Sequence, residues 1–529
     1  MICPDPPIPA TGDRRKARAI PALIKGRRRQ TPAEYSPEGD CENHRKCAKT
    51  FIYFSPMGIR MPRIYLGKIP LRWCDTCHTP VLSGTCACGA PARPVAVTPP
   101  GDARPAFPDD VDRVNRVFCE HFGAPLIPEG HLALLNKVPA DDRMDEIVLG
   151  GAVVGAIRYI PGEQRWEPLP RPNAAAFLRP TKRYVVVDGG AIPSIRDGGA
   201  SVLAPGLLSI DPAVAEGDEV FILTEAGECI GVGRAKVDAA VATTMERGLV
   251  VRTRRNVSSA CVPGEATWED AVAANERILA EYEAASIQFV RDVAEKNPER
   301  PTVSYSGGKD SLATLLIVLK ALGPVPLLFA DTGLEFPETC ENVEAVAERY
   351  GLEVLRVCDE AAFWSEFERS GPPAVDNRWC CRVCKLHPLG RLIDEHFGEC
   401  LSFIGQRKYE SVRRMQSRRV WRNDRVPQQL SAAPIQQWTA MHVWLYIFRE
   451  KAPYNRLYER GLDRIGCFMC PSSDLATFAL IRESCPELSE MWLAKLAGWQ
   501  EKQGLPRDWV ERGLWRKRGG ADEEEDSYN

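Results

Sequence analysis

The sequence predicts an α/β protein: a doubly wound parallel sheet in the C-terminal half, preceded by a small β-barrel and, before that, a cysteine ribbon. Three observations carry this. Between about residues 299 and 485, short apolar strands alternate with helical periods, the order of a parallel sheet covered by helices. Between about 182 and 255, β-branched strands are separated by glycine turns, as in YVVVDGG and GDEVFILTEAGECIGVG, which is the spacing of a small all-β unit. Upstream, Cys74-x-x-Cys77 and, eight residues on, Cys86-x-Cys88 have the spacing of a tetrahedral thiolate site.

The bulk numbers agree with several units. A chain of 529 residues exceeds one ordinary core, and 44 % apolar with 26 % charged residues is the composition of a water-soluble protein. A net charge of −3 argues against a uniformly basic coat for nucleic acid but leaves room for local basic surfaces. No run of about 18 uncharged apolar residues is present, so no membrane span is expected, and a cytoplasmic location is. With no apolar signal segment at Met1, the 19 cysteines point to metal rather than disulfides.

Taken in order, residues 1–60 are basic and proline-rich and read as a flexible segment, with Cys41, His44 and Cys47 in a loose metal-like spacing. Met61 opens the strand-like run MPRIYLGKI, where the folded protein is expected to begin and which is a candidate start of translation. Residues 61–100 form the ribbon. Its four thiolates suit Zn2+, with His78 a neighbour, and metal would supply folding energy on the order of 10 kcal/mol to a segment with almost no core. Residues 101–178 read as a mixed α/β lead-in region from which no chemistry is expected, 179–257 as the barrel, and 258–298 as a helical connector rich in Ala and Glu. The sheet domain occupies 299–485, and 486–529 is a helical tail with an acidic end.

The strongest chemical signal is Tyr305-Ser306-Gly307-Gly308-Lys309-Asp310-Ser311, between a short strand and an apolar helix expected over 311–322. Two glycines let backbone N–H groups approach a phosphate, and the helix start adds its dipole and free donors. Lys309 supplies a mobile positive charge, Ser306 and Ser311 supply hydroxyls, and Asp310 is either a Mg2+ ligand or an N-cap. A second strand end, Asp331-Thr332-Gly333, carries Asp331, which could hold Mg2+ or a ribose, or cap a helix. The run resembles the PP-loop of the ATP pyrophosphatases, whose fold is that of the adenine nucleotide α-hydrolases. That resemblance implies ATP cleaved between its α and β phosphates, with AMP passed to an acceptor.

Two further resemblances follow. Val187-Asp188-Gly189, Gly198-Gly199-Ala200, Pro205-Gly206, Gly217-Asp218-Glu219-Val220 and Gly231-Val232-Gly233-Arg234 are similar to the successive turns of a PUA domain. RNA is then the implied partner, near Gly198–Ala200 and Ala204–Gly206, with Arg196 and Arg234 as phosphate contacts. The runs DTGLEFPET, WCCRVCKLHPLGRL, IGQRKYESVRR, PYNRLY and RIGCFMCP resemble the phosphoadenosine phosphosulfate reductase family over roughly 300–475. In its iron–sulfur members a cysteine pair and a distant Cys-x-x-Cys hold a [4Fe-4S] cluster, which here implies Cys380, Cys381, Cys467 and Cys470; zinc is the competing metal. Cys384 is an extra thiol, and Lys385, Arg407 and Arg413 are candidate anion contacts.

The sequence departs from that family in keeping the full SGGKDS loop, which sulfonucleotide reductases carry in degenerate form. It also has no Glu-Cys-Gly-Leu-His nucleophile motif; its last cysteine is Cys485, followed by Pro486. The resemblances together imply an ATP-dependent, adenylating sulfur-transfer enzyme acting on RNA, namely tRNA thiolation, with an unidentified sulfur donor. Two alternatives stay open. One is a reductase or sulfurylase-like enzyme acting on adenylyl sulfates. The other is an RNA-binding sensor of nucleotide and redox state.

Overall fold

In the computed structural model of the chain, which describes residues 69–517, the apolar runs after residue 299 assemble into one six-stranded sheet. From one edge its order is Val354–Cys358, Leu327–Asp331, Arg300–Ser304, Cys400–Ile404, Val426–Ala432 and Val420–Asn423. All neighbours are parallel except the last pair. Chain order runs outward from Arg300–Ser304 to Val354–Cys358, then returns to the other side of Arg300–Ser304. Strand order therefore reverses between Arg300–Ser304 and Cys400–Ile404, and ligands bind beyond the carboxyl ends of the strands at such a point. The two loops that leave this point are Ser306–Ser311 and Gly405–Arg407.

Helices Lys309–Leu322, Pro337–Tyr350, His387–His396 and Ala440–Arg449 accompany the sheet. Every residue from Ala440 to Ile447 is buried, so the last of these is a central helix, apolar apart from His442, whose ring pairs with Thr439 Oγ1 at 2.7 Å. Residues Leu475–Ser484 and Pro486–Gln503 form two further helices, packed with Phe363, Phe367 and Trp379 into a separate aromatic core. The segment expected as a tail is thus partly core: Trp492, Leu496 and Trp515 are buried there.

The barrel region forms a six-stranded sheet in the order Val202–Leu203, Leu249–Arg255, Cys229–Ala235, Glu219–Thr224, Tyr184–Val187 and Leu207–Ile210. Its strand Glu219–Thr224 is buried along its whole length because it serves two cores. Val220 and Ile222 point into the β-domain, while Phe221 and Leu223 pack with Phe118 and Phe122 of the lead-in region. Period-two alternation divides one apolar strand between two neighbours. The lead-in region is a five-stranded antiparallel sheet with one helix, Pro108–Phe122.

The ribbon strands Arg72–Cys74, Thr79–Val81 and Arg93–Pro94 lie against the long helix Trp268–Lys296. Asn275 of that helix accepts from Leu82 N at 2.7 Å and donates to Pro80 O at 2.8 Å. Arg93 joins the ribbon to the lead-in sheet by donating to the carbonyls of Gly150 and Gly151 at 2.8 and 2.7 Å. All described residues belong to one unit, Met61–Asn529. The readings for residues 1–60, for Cys41, His44 and Cys47, for a start at Met61 and for the acidic end lie outside the described residues. Among the described residues no helix is long and apolar enough to cross a membrane.

Candidate nucleotide site and cysteine crevice

The glycine-rich loop folds as its residues require. Gly307 has φ +70°, and a Cβ there would stand 2.8 Å from Thr339 Cγ2, so the loop presses against the start of helix Pro337–Tyr350. The following helix begins at Lys309, not Ser311, with Gly308 as its N-cap; Asp310 lies in the first turn, so the cap reading for Asp310 is corrected. A glycine cap has no side-chain acceptor, which leaves first-turn N–H groups for other partners. One is already used: Lys309 N donates to the Tyr458 hydroxyl at 2.9 Å. Ser311 Oγ donates to Gly308 O at 2.8 Å and accepts from Ser306 N at 3.2 Å, tying the loop to its own helix. Ser306 is exposed at the loop's outer side.

The charges here are paired. Lys309 Nζ lies 2.7 Å from Asp310 Oδ2, and Arg407 Nε donates to Asp310 Oδ1 at 2.6 Å. Burial would raise the Asp310 pKa, but Arg407 and then Lys309 outweigh it and hold the carboxyl down to about 2. Burial likewise opposes the Lys309 charge, and Asp310 with Tyr458 restores it, so lysine stays an ammonium well past neutral pH. Gly405 makes the approach of Arg407 possible: a Cβ there would stand 2.4 Å from the Asp310 carbonyl carbon. Arg407 reaches further, donating to Asp102 at 2.8 Å. Asp102 lies in the connection that leads from the ribbon into the lead-in region, ahead of the helix Pro108–Phe122. It brings a carboxylate into the nucleotide end of the sheet.

Asp331 ends its strand as expected and does not cap a helix. It accepts from Gly333 N at 2.8 Å and from Arg356 Nε at 2.9 Å. The loop it opens runs directly to the cysteines. Thr332 Oγ1 stands 3.4 Å from Cys467 Sγ and 3.1 Å from Glu335 Oε1, and that same Glu335 oxygen accepts from Lys385 Nζ at 3.2 Å and Cys467 Sγ at 3.5 Å. Phe468 N, between the cysteines, donates to Leu334 O at 3.0 Å.

Cys380 and Cys381 lie where a short helix passes into a turn of π-helix, Arg382–Leu386, a widened turn of the kind that re-aims side chains at functional sites. Cys380 is held well above an ordinary thiol, first by its hydrogen bond with Cys381 and then by burial, with Cys467 and Cys470 near enough to add to the effect. Cys381 is drawn below an ordinary thiol, first by its hydrogen bond with Cys380 and, against burial, by Lys385, Arg378 and Arg464. Burial and then Glu335 push Cys467 up. Cys384 is 1 % exposed among Leu334, Phe336 and Trp379, and burial pushes its thiol up to about 12.

The ribbon cysteines are arranged differently. The Sγ atoms of Cys74, Cys77, Cys86 and Cys88 all lie within 4.8 Å of one another, with Cys74 to Cys88 at 3.7 Å and Cys77 to Cys86 at 3.8 Å. A tetrahedral ion with metal–sulfur bonds of about 2.3 Å holds its sulfurs about 3.8 Å apart, so this quartet is placed to hold a metal. Among the described residues it is the one such group. Cys380, Cys381, Cys467 and Cys470 do not converge to that distance.

The predicted anion contacts thus separate. Lys385 faces the cysteines, Arg407 is locked between two carboxylates, and Arg413 is exposed on the short helix Val412–Gln416. Residues that sequence reading did not single out are Asp102, Glu335, Arg356 and Tyr458. Glu335 and Tyr458 stand inside quoted runs, DTGLEFPET and PYNRLY, but Asp102 sits in a proline-rich connection and carries no local signal.

Comparison with known proteins agrees with this geometry. Residues 300–473 match the phosphoadenosine phosphosulfate reductase domain and residues 183–257 the PUA domain. An uncharacterized protein of Methanocaldococcus jannaschii is 39 % identical over 468 residues, 86 % of this chain and 97 % of its own length. Adenosine 5'-phosphosulfate reductase 2 of Bacillus subtilis is 30 % identical over 182 residues, 33 % of this chain and 75 % of its own. The solved phosphoadenylyl-sulfate reductase of Candida auris is 21 % identical, covering 40 % of this chain and 98 % of its own, with a TM-score of 0.30. A nucleotide-using PP-loop domain of the expected doubly wound fold thus stands behind a PUA domain, and the chain belongs to the phosphoadenosine phosphosulfate reductase family.

Proposed function

We propose that the protein is an ATP-dependent sulfur-transfer enzyme that adenylates an RNA base, with tRNA as the substrate class. The observation that carries this is adjacency. Ser306–Ser311 and Asp331–Glu335 leave the carboxyl ends of neighbouring parallel strands, and the second carries Thr332 and Glu335 to within 3.4 and 3.5 Å of Cys467 Sγ. An acid anhydride activated at one end and sulfur chemistry at the other is the arrangement a two-step replacement of oxygen by sulfur requires.

In the first step a carbonyl oxygen of the base attacks the α-phosphorus of ATP, and pyrophosphate leaves. The first-turn amides and Lys309 stabilise charge on the departing phosphates, and Asp310 with Asp331 supplies carboxylates for Mg2+. In the second step sulfide-level sulfur from the donor attacks the base carbon that bears the adenylated oxygen, the carbon–oxygen bond breaks, and AMP leaves with that oxygen. Cys380, Cys381, Cys467 and Cys470 would hold a [4Fe-4S] cluster, which, when bound, supplies a site for the incoming sulfur. Zn2+ in the ribbon quartet would be structural. The PUA domain presents the RNA through the Gly198–Ala200 turn and the Ala204–Gly206 turn, both at its surface.

A second reading, reduction of adenylyl sulfate, is favoured by the likeness to an adenosine 5'-phosphosulfate reductase over this same domain. The intact loop favours the first, because a nucleotide that arrives already activated releases no pyrophosphate. Protein purified without oxygen is to be assayed for AMP and pyrophosphate with bulk tRNA, and in parallel for sulfite with adenylyl sulfates. AMP, pyrophosphate and labelled sulfur in RNA, all dependent on RNA, are expected. Sulfite released without RNA overturns the proposal, and no nucleotide cleavage in either arm leaves the sensor.

A further inference from the structure

Asp102 lies outside the reductase-like domain, in the connection between ribbon and lead-in helix, yet it reaches the phosphate end of the sheet. One carboxylate oxygen accepts from Arg407 Nη1 at 2.8 Å and the other from Ala440 N, at the start of the central helix, at 2.6 Å. Arg407 then donates to Asp310 at 2.6 Å, and Asp310 pairs with Lys309 at 2.7 Å. Four alternating charges thus stand in a row, with side-chain exposures of 15, 4, 15 and 8 % from Asp102 to Lys309.

We infer that Asp102 is a positioning residue of the nucleotide site, supplied from the RNA-facing half of the molecule. Its work is to anchor Arg407 as the standing partner of Asp310. When Lys309 turns toward a phosphate oxygen its hold on Asp310 loosens, and a buried carboxylate that loses a partner is costly. With Arg407 held by Asp102, Asp310 keeps one cation when Lys309 departs. With Asp102 neutral, Arg407 has one carboxylate in place of two, follows the incoming triphosphate, and leaves Lys309 pinned to Asp310. Adenylation then depends on the lead-in region being docked. The same interface is fixed elsewhere by Lys137, which pairs with Asp463 at 2.9 Å and Asp474 at 2.7 Å, and by Asp142, which accepts from Leu475 N and Ala476 N at 2.8 and 2.9 Å.

This rests on reading Ser306–Ser311 as a triphosphate site, and the experiment separates the two. Asp102→Asn retains an oxygen for Ala440 N but removes the charge that holds Arg407. The expected result is a split: turnover to AMP falls about tenfold or more, because the cation is misplaced, while the ATP dissociation constant does not rise, since the site has lost a negative charge. Asp102→Glu restores part of the turnover. Hydrogen exchange quickens at the amides of 405–410 and stays unchanged at Ala440, and this arm needs no turnover. A wild type that releases no AMP removes the adenylation reading alone. Unchanged exchange at 405–410, or equal loss of ATP binding, turnover and melting temperature, overturns the role of Asp102.

Discussion

The two cysteine quartets of this chain solve the same problem, holding four thiols together, in opposite ways. Cys74, Cys77, Cys86 and Cys88 fall within one short ribbon, where their sulfurs converge to within 4.8 Å of one another as a metal ion would require. Cys380, Cys381, Cys467 and Cys470 come from two distant segments, brought to one crevice by the sheet, the DTGLE loop and the aromatic core of Phe363, Phe367, Trp379 and Trp492. There the protein is folded first and whatever binds is received. On the proposed function, the first quartet holds a metal that makes structure and the second a group that does chemistry.

The largest effect is expected at the ribbon. Cys74→Ser or Cys86→Ser removes a buried ligand, and with it metal-binding free energy on the order of 10 kcal/mol for that segment. Metal content falls by one equivalent, and hydrogen exchange across residues 72–95 becomes that of an unfolded chain. Cys470→Ser is the counterpart. It abolishes the visible absorbance of the anaerobically prepared protein while the melting temperature stays close to wild type. A collapse of the sheet domain on that substitution would erase the distinction between the quartets.

Next in size is the seat of the ribbon on the long helix. Asn275 is 1 % exposed, and Asn275→Ala leaves Leu82 N–H and Pro80 C=O without their partner, at a cost of about 1–3 kcal/mol in denaturant unfolding. Metal content is unchanged, because no ligand is touched. Smaller still is the response to acid. Asp110 is held down to about 2, burial opposing and Arg104 dominating the favourable side, and Asp310 is held down to about 2 by Arg407 and Lys309. Both pKa values lie below the unfolded value near 3.8, so the stability they add is complete above about pH 4 and lost as pH falls toward 2. Asp110→Asn flattens the stability curve in that window and leaves it unchanged in shape at neutral pH.

Much of this molecule was legible in its sequence because the signals are local. The ribbon spacing, the alternation of strands and helices, and the loop at Ser306–Ser311 each depend on neighbours a few residues apart. The crevice cysteines were legible only through resemblance, since no period links Cys381 to Cys467. What stayed hidden depends on long-range placement. Asp102 reaches Arg407 across 305 positions of sequence, and Lys137 reaches Asp463 across 326. An isolated aspartate after a glycine looks like any turn residue. The start of the helix at Lys309 was missed for a related reason: a glycine N-cap leaves no polar mark where Ser, Thr or Asp usually stand.

The central claim is that this loop cleaves ATP in order to activate RNA. The direct measurement is release of AMP and pyrophosphate by anaerobic protein, with and without tRNA, for wild type and Lys309→Ala. The account predicts stoichiometric AMP and pyrophosphate that require RNA and fall by about 10²–10³-fold on loss of the Lys309 ammonium. Sulfite formed from adenylyl sulfate at equal rate in both proteins, with no RNA present, would contradict it.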